Sequence, residues 1–149
     1  MTEGSILLVE DNEDDADLTV LAFKRSNMAN PVVVAEDGAK ALDHLFGGGV
    51  FASPDAALPV LMILDLNLPR VSGLEVLRRV RAEERTRYLP VVILTTSNED
   101  EDVIDSYALG ANAYVRKPVA FEEFLTATAR LGMFWLLANV SPPAAGRAL

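Results

Sequence analysis

Five short runs rich in Val, Ile and Leu punctuate the chain, at residues 6–9, 32–35, 60–64, 91–94 and 113–115. None alternates apolar with polar positions, so both faces of the sheet they form should be covered, as in a parallel sheet. Each run is followed by a segment long enough for a helix. The repeated strand-then-helix order predicts right-handed crossovers, with helices on both sides of the sheet. Residues 14–26 bring Leu18, Leu21 and Ala22 together at helical spacing, and Val20 and Phe23 widen that apolar arc. A second helix opens at Asp37, a good N-cap residue, and stops before Gly47-Gly48-Gly49. From Ser72 to Glu84, Leu74, Leu77 and Val80 recur every third residue while Arg78, Arg79 and Arg81 turn to water. Residues 99–109 begin in acidic Glu99–Asp102, favoured at the positive end of a helix dipole, and Gly110 supplies the stop. The last helix is expected from Phe121 to Ala138, ended by Ser141-Pro142-Pro143.

These elements make one α/β domain over residues 1–138, with 139–149 as a loose tail and 47–59 as a long exposed loop holding three glycines and two prolines. A chain of 149 residues, half of them apolar, is long enough to bury a full core. Its 13 basic and 22 acidic residues leave a net charge of −9, which argues against nucleic acid as a partner. The absence of cysteine excludes disulfides and thiolate metal sites. Ile6–Val9 is too short for a signal peptide and runs into acidic residues. Leu131–Val140, the longest apolar stretch near the other end, falls far short of the roughly 20 residues that span a bilayer. A cytoplasmic protein without membrane contact is expected.

Candidate chemistry lies at the strand ends. In an open parallel sheet the ligand site sits beyond the carboxyl ends of the strands. Glu10 and Asp11 end the first run, Asp65 the third, and Thr95 and Lys117 follow the fourth and fifth. Clustered oxygens from Glu10, Asp11 and Asp65 suit a hard divalent ion, Mg²⁺ or Mn²⁺. An aspartate can attack a phosphoryl donor, while a lysine and a hydroxyl neutralise charge on the phosphoryl oxygens. The acidic first turn of the first helix, Glu13, Asp14, Asp15 and Asp17, is read as a solvated, dipole-favoured start outside this site. His44, the sole histidine, is read as an ordinary partly buried side chain.

Val9-Glu-Asp-Asn12, Leu64-Asp-Leu-Asn-Leu-Pro-Arg70 with Ser72-Gly73, Leu94-Thr-Thr-Ser97 and Tyr114-Val-Arg-Lys-Pro118 together resemble the receiver domains of two-component response regulators. The resemblance spans about residues 5–137 and implies a flavodoxin-like, doubly wound sheet of five parallel strands in the order 2-1-3-4-5. It implies that Asp65 accepts phosphate from a kinase histidine. Asp11 and Asp65 would bind the metal directly, Glu10 through water and Asn67 through its backbone carbonyl. Lys117 would pair with the phosphoryl group, Thr95 and Tyr114 would form the conformational switch, and Asn67 and Ser97 would tune how long the phosphate survives. A cis Lys117–Pro118 peptide is also implied. The 47–59 loop, the 94–99 run and the Phe134-Trp135 helix ending in Ser141-Pro142-Pro143 are similar to the stand-alone regulators that accompany phytochrome kinases. Such a kinase is the expected partner.

Phe124 is assigned to the core. Tyr107, Phe134 and Trp135 form a late aromatic cluster that is difficult to bury in one small domain, so a homodimer through the fourth and fifth helices and the last strand is expected. Two other functions compete with the phosphorylated switch. A phosphate-independent docking module usually lacks one of the acidic, threonine or lysine positions, all present here. A phosphohydrolase would want a second carboxylate two residues after Asp65, where this chain has Asn67.

Overall fold

The computed structural model describes residues 4–47, 58–118 and 120–140. Strands and helices alternate: β1 (Ile6–Val9), α1 (Glu13–Arg25), β2 (Val32–Ala35), α2 (Gly38–Phe46), β3 (Leu61–Leu64), α3 (Gly73–Ala82), β4 (Val91–Thr95), α4 (Asp100–Ala108), β5 (Ala113–Arg116) and α5 (Phe121–Met133). The strands form one parallel sheet in the order β2-β1-β3-β4-β5, the doubly wound α/β arrangement expected.

Alternate strand residues feed two separate cores. Leu7, Val9, Met62, Leu64, Val91 and Ile93 pack against Ala41 and Leu45 of α2 and Val76, Leu77 and Val80 of α3. Ile6, Leu8, Ile63, Val92 and Leu94 face the other way, toward Ala16 and Phe23 of α1 and Phe124 and Leu131 of α5. Phe124 is therefore core, as assigned. The central strands β1, β3 and β4 are wholly buried. The edge strands are not: Val34 of β2 is exposed and Ala113–Val115 of β5 are half-buried, because each edge lacks a neighbour on one side.

Side chains close three helix starts. Asn12 caps α1, Asp37 caps α2 and Ser72 caps α3, each accepting from the N–H three residues on. The last helix departs from expectation, since α5 ends at Met133 and Phe134–Ala138 form a single π-helical turn. Among the described residues every peptide bond is trans, Lys117–Pro118 included. The expected cis bond is thus corrected; the trans form is favoured by about 0.5–1 kcal/mol before X–Pro. Of the 47–59 loop only Gly47, Leu58 and Pro59 are among the described residues, and the tail beyond Val140 lies outside them. No helix among the described residues is long and apolar enough to cross a membrane.

Candidate functional site

Parallel register brings the polar strand ends to one level. Val9 pairs with Leu64, so Glu10 and Asp65 leave adjacent strands side by side, and the Asp65 N–H donates to the Val9 carbonyl at 3.0 Å. Thr95 pairs with Arg116, and the Lys117 N–H donates to the Thr95 carbonyl at 2.8 Å. The chain must turn sharply after Asp65, and α3 starts close beneath it. A Cβ on Gly73 would lie 2.1 Å from the Asp65 carbonyl oxygen, so no larger residue fits there without displacing the backbone.

Asp65 is held from three sides. The Thr95 hydroxyl donates to Oδ1 at 2.7 Å, the Asn67 N–H donates to the same oxygen at 3.2 Å, and Lys117 Nζ donates to Oδ2 at 3.0 Å. Lys117 also pairs with Glu10 Oε1 at 2.5 Å and with Asp15 Oδ2 at 3.0 Å. Its side chain is only 4% exposed, against 3% for Glu10 and 7% for Asp65. Thr95 is fully buried.

Several carboxylates crowded around one ammonium leave an excess of negative charge. Burial pushes the Glu10 carboxyl up to about 7, with the Asp65 charge adding to the rise and Lys117 opposing it. Burial works against the Lys117 ammonium, but the carboxylates of Glu10, Asp65 and Asp15 outweigh it and hold its pKa above the ordinary value. Such a corner favours a cation. Glu10, Asp11 and Asp65 each place a carboxylate oxygen within 4.8 Å of the others, and this all-oxygen donor set fits a divalent ion of the Mg²⁺ or Mn²⁺ kind.

The remaining expected positions spread outward from this corner. The Tyr114 hydroxyl donates to the Ser97 carbonyl at 3.4 Å, and the Ser97 hydroxyl donates to Asp102 Oδ2 at 2.6 Å, tying β4 to α4. Tyr107 lines an open hollow of about 440 Å³ with Val103, Tyr114, Val115 and Arg116. Tyr107 and Phe134 are about half exposed. Trp135 differs from them: it is half-buried against the α1–α5 core, with its ring edge-on to Phe134 at 5.2 Å.

Two features escaped the sequence reading. Asp15 belongs to the site, because Asn12 caps α1 and thereby turns the third helical residue back toward Lys117. The cap three residues before an acid was the available signal. Arg70 adopts left-handed backbone geometry (φ 66°) and pairs with the buried Asp37 at 3.3 Å, linking the loop after Asp65 to the start of α2. Nothing in the spacing of those residues foretells that contact.

The receiver domain profile of response regulators matches residues 6–129. The chain belongs to this family. Phosphorylation by a kinase is the role of receiver domains, which are not enzymes in the usual sense. The receiver is 41% identical over 140 residues to the Probable methanogenesis regulatory protein FilR2 of Methanothrix harundinacea, covering 92% of this chain and 86% of that one. It is 36% identical over 140 residues to the response regulator Rcp1 of Synechocystis, covering 94% of this chain and 93% of the relative. The Mn²⁺-bound crystal structure of Rcp1 superposes with a TM-score of 0.86 at 34% identity, covering 93% and 99% of the two chains. The phosphorylated cyanobacterial phytochrome response regulator RcpA superposes with a TM-score of 0.88 at 34% identity, covering 95% and 99%. This receiver is thus related to phytochrome response regulators.

Proposed function

We propose that Asp65 accepts a phosphoryl group from the phosphohistidine of a sensor kinase of the phytochrome type. A carboxylate oxygen of Asp65 attacks phosphorus, the P–N bond breaks, and the imidazole leaves with its electron pair. The observation that carries this reading is the Asp65 carboxylate itself, set at a strand end with a hydroxyl on one oxygen and an ammonium on the other. Thr95 and Lys117 would donate to phosphoryl oxygens once the ester forms, a role supported by their contacts with the Asp65 carboxylate. Asp11 and Asp65, the Asn67 carbonyl, and Glu10 through water would hold Mg²⁺ or Mn²⁺, which would offset charge on those oxygens. These groups also let the chain assist its own phosphorylation and dephosphorylation, with Asn67 and Ser97 setting the phosphate lifetime.

The signal leaves through Thr95 and Tyr114. Thr95 already touches Asp65, and the Tyr114 hydroxyl rests on the segment that leads into α4. Readout by α4, β5 and α5 follows, and the half-exposed Tyr107 and Phe134 favour a homodimer through that face. The receiver unit is taken as residues 1–138, working in the cytoplasm without nucleic acid or membrane.

Intact mass spectrometry tests the core of this reading. A small phosphodonor with Mg²⁺ should add one phosphate to the native chain and none to Asp65→Asn. Labelling of the variant would make the chain a docking module modified at some other residue. Phosphotransfer rates from a panel of purified sensor kinases test the donor, and a phytochrome kinase among the slowest would remove that assignment. Light scattering at high micromolar concentration, with and without phosphorylation, tests the dimer; monomer throughout would exclude it.

A further inference from the structure

Lys117 has no N–H to spare. An ammonium carries three donors, and here they meet Glu10 Oε1, Asp15 Oδ2 and Asp65 Oδ2. A phosphoryl oxygen arriving at Asp65 can take a bond from Lys117 only if one of these carboxylates gives way. The three are not equivalent. Asp65 is the group being modified, and Glu10 is 3% exposed, with its other oxygen accepting from the Asn12 N–H at 3.2 Å. The Asp15 side chain is 25% exposed, so water is at hand to replace its bond.

Asp15 also differs in what else it does. Glu10 and Asp65 stand with Asp11 in the acidic group that fits a cation, and Asp15 is not part of that group. Its main chain is anchored independently, its N–H bonded to Asn12 Oδ1 at 2.9 Å and its carbonyl to the Thr19 hydroxyl at 2.8 Å. The carboxylate is therefore aimed at Lys117 by the first turn of α1 and has no other ion-pair partner among the described residues.

We infer that Asp15 is a restraining residue for phosphoryl transfer: it occupies one Lys117 donor until the phosphoryl group arrives and then yields it. This inference rests on Asp65 being the acceptor. Asp15 is not needed to place Lys117, since Glu10 and Asp65 hold the ammonium without it. Its removal should therefore free a donor and lower the negative charge met by an anionic phosphodonor. A role that merely supported the fold would slow the reaction on removal, so the direction of the change separates the two.

The test follows phosphate incorporation by intact mass in native chain, Asp15→Asn, Asp15→Glu and Asp65→Asn, with acetyl phosphate and Mg²⁺. Asp15→Asn should be labelled roughly three- to tenfold faster than native, the range expected for one partly solvated charge contact. Asp15→Glu should restore the slower rate, and thermal melting of each variant reports its fold. An unchanged or lower rate in a folded Asp15→Asn chain, while native chain is labelled at Asp65, overturns the restraint and leaves the acceptor reading intact. An Asp15→Glu chain as fast as Asp15→Asn overturns it as well. Absence of label from native chain, or label that persists in Asp65→Asn, removes both readings together.

Discussion

The helices α3 and α4 leave neighbouring strands at the same corner, one after Asp65 and the other after Thr95, yet they are held very differently. The first is bolted down. Ser72 caps it, Gly73, Val76, Leu77 and Val80 are buried, and Arg81 at its far end, expected to turn to water, instead reaches the carbonyls of Leu89 and Gly110 at 2.7 and 2.9 Å and Asn112 Oδ1 at 3.0 Å. By contrast, α4 has no side-chain cap at Glu99, lacks a basic residue in its last turn, and buries only Ser106, whose hydroxyl has no hydrogen-bond partner. Ile104 is 66% exposed and Tyr107 51%. Elements with little buried apolar contact open at low free energy and are the ones free to move. The contrast divides the corner in two: the helix after Asp65 is held by a cap and four buried residues, while the helix after Thr95 is held by far less buried contact.

The comparison breaks most plainly through core truncation. Leu77→Ala should lower urea-unfolding stability by about 2–5 kcal/mol, because a fully buried leucine leaves a cavity. Ile104→Ala should stay within about 0.5 kcal/mol, as expected of an exposed position. Comparable losses from the two would mean that α4 is packed as firmly as α3.

Charge in the corner that both helices share provides an intermediate effect. In the metal-free chain the Glu10 carboxyl rises from an ordinary 4.5 to about 7 on folding. The folded state then binds more protons than the unfolded state between those values, so this group's contribution is present in acid and is lost as pH rises through about 7. Metal-free native chain should lose about 2–3 kcal/mol between pH 5 and 8 relative to Glu10→Gln, which cannot titrate there. Parallel stability curves for the two proteins would show that Glu10 is charged throughout.

The smallest effects come from the caps. Removing the hydroxyl in Ser72→Ala should cost about 1 kcal/mol, and supplying one in Glu99→Ser should gain about 0.5 kcal/mol. A loss on adding a cap to α4 would mean that the Glu99 side chain makes a contact that matters more than the cap.

Much of the site was legible because strand ends are easy to locate. Each apolar run stops at a polar residue, and in a parallel sheet those stops lie along one edge, so Glu10, Asp11, Asp65, Thr95 and Lys117 could be grouped before any coordinates. The Asp37 cap was legible for a similar reason, as local chemistry within a single turn. Asp15 was left outside the site because an acidic first turn is ordinarily solvated; the cap at Asn12 was a signal, but the partner it turns toward, Lys117, comes from far along the chain. Trp135, expected at an interface, stands in the π-helical turn and is half-buried against the α1–α5 core.

Taken alone, the amino-acid order determined which segments are strands and helices, that both sheet faces are covered, and which polar groups stand at the rim. These follow from periodicity and local capping, which act over a few residues. Tertiary structure alone decided how the acids divide Lys117 among themselves, that Arg70 reaches Asp37, and that α3 is anchored more firmly than α4. Those contacts join residues far apart in the chain, and only the packing of helices onto the sheet sets their distances.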